Sequence, residues 1–179
     1  TGGKIADEIT NFDNSSKYFL GSLIAYDKNV KIFSGLDSKF LHEKGTVSAS
    51  TTKNLAKNAK NIFNSDLGLA ITGVAGNKAI EKHESGTLFL SITDGEKFLN
   101  KEMIISGDRI QIKNRAVFLA FALINEFMLK NDWYKMTIHK KITVDSNHLY
   151  LFPLADFAGG GYLMIDAGPN SDQAFDKLN

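Results

Sequence analysis

Three side chains able to do chemistry fall in one short stretch, "NSSKYFLGSLIAYDKNVK", running from Asn14 to Lys31. Ser16 offers a hydroxyl nucleophile, Tyr26 a phenol that can relay a proton, and Lys31 an amine base. A serine hydroxyl is inert at neutral pH without a base. A lysine serves as that base only where burial or a nearby charge lowers its pKa. The bland reading stands beside this one. A serine pair commonly starts a helix, a tyrosine can end a strand at the surface, and Lys31 is one of nineteen lysines.

Glycine-bearing turns form the second group. "TGVAG", Thr72 to Gly76, follows an apolar run and lets backbone approach a ligand closely at Gly73 and Gly76; Thr1-Gly2-Gly3 has the same character. Each is more often a plain turn. "SGDR" ahead of a long helix pairs backbone N–H groups with the Arg109 guanidinium, a combination that suits a phosphate. The chain has only two arginines, Arg109 and Arg115, and an isolated "SGDR" is more often a helix cap beside a surface arginine.

Composition removes other chemistries. The chain has no cysteine, so thiolate nucleophiles, disulfides and thiolate metal sites are excluded. Its four histidines form no metal-ligand spacing, and no metal or cofactor is expected. A formal charge of +1 calls for neither a nucleic acid nor an anionic membrane as partner. No apolar run reaches the ~18 residues of a membrane span.

These residues need a scaffold, and 179 residues supply one domain with a sizeable core. "GGKIADEITN", "KNVKIFSGL" and "SKFLHEKG" read as helices. "VSASTTKNLAKNAKNIFNSD" repeats apolar residues at helical spacing and is capped by Ser48 or Ser50. "SLIAY" and "LGLAIT" read as buried strands. "GTLFLSIT" and "EKFLNKEMIIS" form a hairpin about Asp94-Gly95. "GDRIQIKNRAVFLAFALINEFMLK" reads as a long helix with Asp108 at its start. The order predicts a three-layer α/β/α domain with a mixed sheet over 1–130. Two or three further strands form a small C-terminal β appendage over 131–179, whose polar end, "PNSDQAFDKLN", has the composition of a disordered tail.

In order and at nearly constant spacing, these motifs resemble the CinA C-terminal domain family, whose members include nicotinamide mononucleotide amidohydrolases. The family pattern runs T-G-G, G-S-S-x-x-F, Y-S-N-E-A-K, H-G-A-V-S, T-G-I-A-G, V-G-T-V and G-D-R before an arginine-rich helix. This chain has Thr1-Gly2-Gly3, "NSSKYF", "AYDKNVK", "EKGTVS", "ITGVAG", "SGTLF" and "SGDRIQIKNRAV". The resemblance covers about residues 1–128.

It implies a cytoplasmic, cofactor-free amidohydrolase that deamidates nicotinamide mononucleotide, with Ser16 as nucleophile, Lys31 as base and Tyr26 relaying or orienting. Gly2, Thr72, Gly73, Gly76 and Arg109 would bind the nucleotide, and the protein would be a homo-oligomer. The alternative is a catalytically silent nucleotide-binding or protein-interaction domain. The departures bear on that choice. Asn14 stands where the family has the first glycine of G-S-S, and Ser22 where it has the glycine before the strand. The family's strand and E-S-C ahead of T-G-G, including a serine usually placed at the active site, have no counterpart. Covering the sheet edge left by that strand would give "ITVDSNHLYLF" a structural reason.

Overall fold

The computed structural model describes residues 1–131 and 133, and the backbone of three short strands between 142 and 166. β1 (Gly68–Gly73), β2 (Thr87–Thr93) and β3 (Phe98–Ile104) form a sheet in the order β1-β2-β3, antiparallel throughout. Side chains alternate across it. Leu88, Leu90 and Ile92 of β2 meet Ile112, Ala116, Ala120, Leu123 and Phe127 of α5 (Arg109–Lys130). Phe89 points the other way, to Val47 and Val74. On that second face α4 (Ala49–Phe63) lies against the sheet, with the Thr52 and Thr72 hydroxyls 2.7 Å apart. The result is the expected three layers, with every residue of β2 buried.

Local chemistry sets the helix ends. Asp108 accepts from Ile110 N and Gln111 N while Gln111 Oε1 accepts from Asp108 N, a reciprocal capping box at the start of α5. Ser48 Oγ accepts from Thr51 N to cap α4. Asp27 and Asp37 cap α2 (Lys28–Phe33) and α3 (Ser38–Lys44) in the same manner. α1 (Lys4–Thr10) follows Gly3, whose φ of 92° is one that a side chain rarely tolerates. The β2–β3 turn is the expected one: Asp94 Oδ1 accepts from Glu96 N and Lys97 N, and Gly95 has φ 102°.

Two expectations are corrected. "SLIAY" forms no strand; residues 19–25 carry no regular structure and no ladder partner among the described residues, and Leu23 and Ile24 are exposed. The sheet is therefore antiparallel rather than mixed among the described residues. The C-terminal strands β4 (Ile142–Val144), β5 (Leu149–Leu154) and β6 (Gly161–Asp166) make their own antiparallel sheet, in which none of the three pairs with β1. The polar tail read as disordered lies outside the described residues.

Candidate functional site

A cavity of about 590 Å³ opens between β1, the irregular segment 19–25 and the first residues of the chain. Gly2, Tyr26, Lys31, Thr72, Gly73, Gly76 and Arg109 all line it; Ser16 does not. Ser16 sits exposed in a 3-10 turn, Ser15–Lys17, entered through Asn14 at φ 67°. That left-handed conformation explains how asparagine, one of the few side chains that adopts it readily, replaces a glycine here.

Lys31 is the unusual group. It lies on α2 with 7% exposure, and its Nζ donates to Ala25 O at 2.6 Å and to Tyr26 O at 3.2 Å. Loss of hydration holds its pKa below the ordinary lysine value, with Asp27 and then Glu81 pulling weakly the other way. A neutral lysine amine has two N–H groups and one lone pair. With both N–H groups given to carbonyls, the lone pair is left for another partner. Ser34, buried beside it, donates Oγ to Lys31 O at 2.7 Å and steadies the end of α2.

The cationic mouth is built from α5 and the chain start. Arg109 Nη2 donates to Tyr26 Oη at 3.0 Å, joining residues that are far apart in sequence. A β-carbon on Gly76 would lie 3.6 Å from Arg109 Nη1, and one on Gly2 3.6 Å from Lys113 Nζ. Among the described residues no Asp or Glu lines the cavity. Tyr26 is 74% exposed at this rim. Arg115 turns away from the site, its Nη1 donating to Ser106 O.

Two predicted binding residues have duties within the fold. The Thr72 hydroxyl is engaged with Thr52. A β-carbon on Gly73 would meet Leu88 Cδ2 at 2.5 Å and Thr87 O at 2.6 Å, so packing against β2 already demands glycine there. Sequence reasoning missed Lys113, though its position four residues after Arg109 places both on one helix face. It also missed Glu81, which accepts from Thr46 N at 2.6 Å and from Thr46 Oγ1 at 2.9 Å; nothing in the sequence pairs residues so distant. Among the described residues no three acidic or histidine side chains cluster as metal ligands, and no helix is long and apolar enough to cross a membrane.

Known proteins share this fold. The model of the CinA C-terminal domain matches residues 1–128. A CinA-like protein of Geotalea daltonii is 36% identical over 127 residues, covering 70% of this chain and 30% of its own length. A putative competence-damage inducible protein of Streptococcus thermophilus is 31% identical over 134 residues, 74% of this chain and 32% of that one. The chain thus spans about a third of the length of these relatives. The crystal structure of a CinA superfamily protein from Escherichia coli superposes with a TM-score of 0.68 at 21% identity, over 70% of this chain and 74% of that one. The competence/damage inducible protein of Agrobacterium tumefaciens gives 0.66 at 25%, over 72% and 79%. With its motifs in register, its fold matched and residues 1–128 covered by the family model, the chain belongs to the CinA C-terminal domain family.

Proposed function

We propose that this domain hydrolyses the carboxamide of nicotinamide mononucleotide, releasing ammonia and nicotinate mononucleotide. The observation that carries the reading is Lys31, a desolvated amine in a cavity that no carboxylate lines among the described residues and that Arg109 also lines. An amide needs an activated nucleophile and an acid for the departing nitrogen. Neutral Lys31 takes a proton from the attacking water as its oxygen bonds the carboxamide carbon. The resulting ammonium returns that proton to the leaving nitrogen as the C–N bond breaks. Arg109 and Lys113 suit the 5′-phosphate, and Tyr26 sets the guanidinium through its phenol.

The covalent route through Ser16 requires the 3-10 turn to move, because Ser16 lies outside the cavity lining. That same observation favours the second reading, a nucleotide-binding domain without turnover. The two separate on ammonia release from nicotinamide mononucleotide. Hydrolysis predicts release by the native chain that is lost in Lys31→Met, with mononucleotide binding kept. Binding without release in the native chain selects the silent domain.

A further inference from the structure

One buried hydroxyl of the cavity has a direction that its neighbours settle. Thr72 of β1 is 7% exposed and lines the cavity. Its Oγ1 lies 2.7 Å from Oγ1 of Thr52, a buried residue of α4. That contact alone leaves the donor open. Thr52 Oγ1 also lies 2.7 Å from the Ser48 carbonyl, which has no proton to give. A threonine hydroxyl carries one proton, and the Thr52 proton therefore goes to Ser48 O. Thr72 must then donate to Thr52. All three groups belong to β1 and the start of α4, so neither the chain start nor Lys113 takes part.

The consequence falls on Thr72. Its one proton is committed, and Oγ1 keeps lone pairs that no N–H or O–H of the described residues fills. The surroundings are apolar: Leu55, one turn beyond Thr52, and Ala70, two residues before Thr72, also line the cavity. A buried acceptor left without a donor is costly, and a ligand N–H removes that cost. A ligand carboxylate does the reverse, because an ionised carboxylate only accepts and sets lone pair against lone pair.

We propose that Thr52 sets ligand specificity: it fixes the Thr72 hydroxyl as an acceptor, so the cavity receives a carboxamide N–H there and repels a carboxylate. The inference rests on the proposed carboxamide substrate and adds a reason for the acid product to leave. Sites built around one hydrogen bond discriminate well because the wrong ligand leaves their own group unpaired. Thr52 does not line the cavity, so it acts through Thr72 as a positioning residue.

The acid product is not consumed, so nicotinate mononucleotide is titrated by calorimetry at neutral pH into the whole native chain and its variants. Thr52→Val removes the acceptor of the Thr72 proton, which then turns to the carboxylate. Binding should tighten about threefold to tenfold, and Thr52→Ala should act the same way if valine disturbs α4. Thr52→Ser keeps the lock and should match the native chain. Adding Thr72→Val to Thr52→Val should abolish the gain. Unchanged, weaker or no binding in both Thr52→Val and Thr52→Ala is the mark of a Thr52 that serves packing alone, and it overturns the proposal. A gain equally large in Thr52→Ser, or one that survives Thr72→Val, also overturns it. Failure of the hydrolase reading looks different: no ammonia is released from nicotinamide mononucleotide, while the gain for the acid persists.

Discussion

Two apolar runs of similar make-up, Thr87–Thr93 and Ser22–Tyr26, end in opposite states. The first is β2, paired on both edges, packed on both faces and buried at every residue. The second forms no strand and has no ladder partner among the described residues, with Ile24 57% and Tyr26 74% exposed. Composition decides that a run can be a strand; a neighbour on each side decides that it is one. β2 has β1 and β3, whereas residues 22–26 face the cavity. The closed side of the sheet is therefore the stable core, and the open side lines the cavity with Lys31 and Arg109.

The largest expected effect contrasts those two runs directly. Leu90 is 1% exposed between sheet and α5, so Leu90→Ala should cost about 2–5 kcal/mol in denaturant unfolding. Leu23 is 37% exposed, and Leu23→Ala should cost roughly 0.5 kcal/mol or less. Equal losses would mean that 22–26 is as firmly packed as β2. Next comes the mouth. Arg109→Ala should weaken binding of the mononucleotide by about one to two decades, from charge-assisted bonds worth roughly 1.5–3 kcal/mol. The nucleoside lacking the phosphate should be little affected. Arg115→Ala, which removes a bond to Ser106 O, should spare both ligands.

Among the described residues no ionisable side chain is buried in the core around β2, whereas the open side keeps Lys31. Its pKa in the folded chain lies below its unfolded value. Between those two values the unfolded chain holds more protons, so stability rises with pH across that window. The native chain should accordingly gain stability relative to Lys31→Met as pH climbs toward the ordinary lysine range; a falling difference would contradict the burial of its charge. Turnover should rise on the alkaline side for the same reason. The smallest effect is Tyr26→Phe, which removes one exposed hydrogen bond to Arg109 and should raise KM a few-fold with kcat nearly unchanged. A large fall in kcat would move Tyr26 into the proton path.

The elements that short-range signals specify were legible. Asp108, Ser48 and the Asp94-Gly95 turn each act through neighbours two or three residues away, so sequence alone pointed to them, Ser48 as one of two candidates with Ser50. The antiparallel sheet was not, because the mixed reading required "SLIAY" to find a partner, and pairing is a property of the neighbour rather than of the run. At the site, spacing identified Lys31 and Arg109 as candidates. The Arg109–Tyr26 and Glu81–Thr46 bonds join distant segments and leave no local trace. Ser16 shows the converse: motif position suggested a nucleophile, while the turn that carries it lies outside the cavity lining, a placement that depends on packing rather than on the motif.

The claim that Lys31 is the base of an amide-hydrolysing site is tested most directly by ammonia release from nicotinamide mononucleotide across pH, for the native chain, Ser16→Ala and Lys31→Met. The account predicts release by the native chain and by Ser16→Ala, rising as Lys31 loses its proton below the ordinary lysine range, and none by Lys31→Met while mononucleotide still binds. Full release by Lys31→Met, or a native chain that binds without releasing ammonia at any pH, would contradict it.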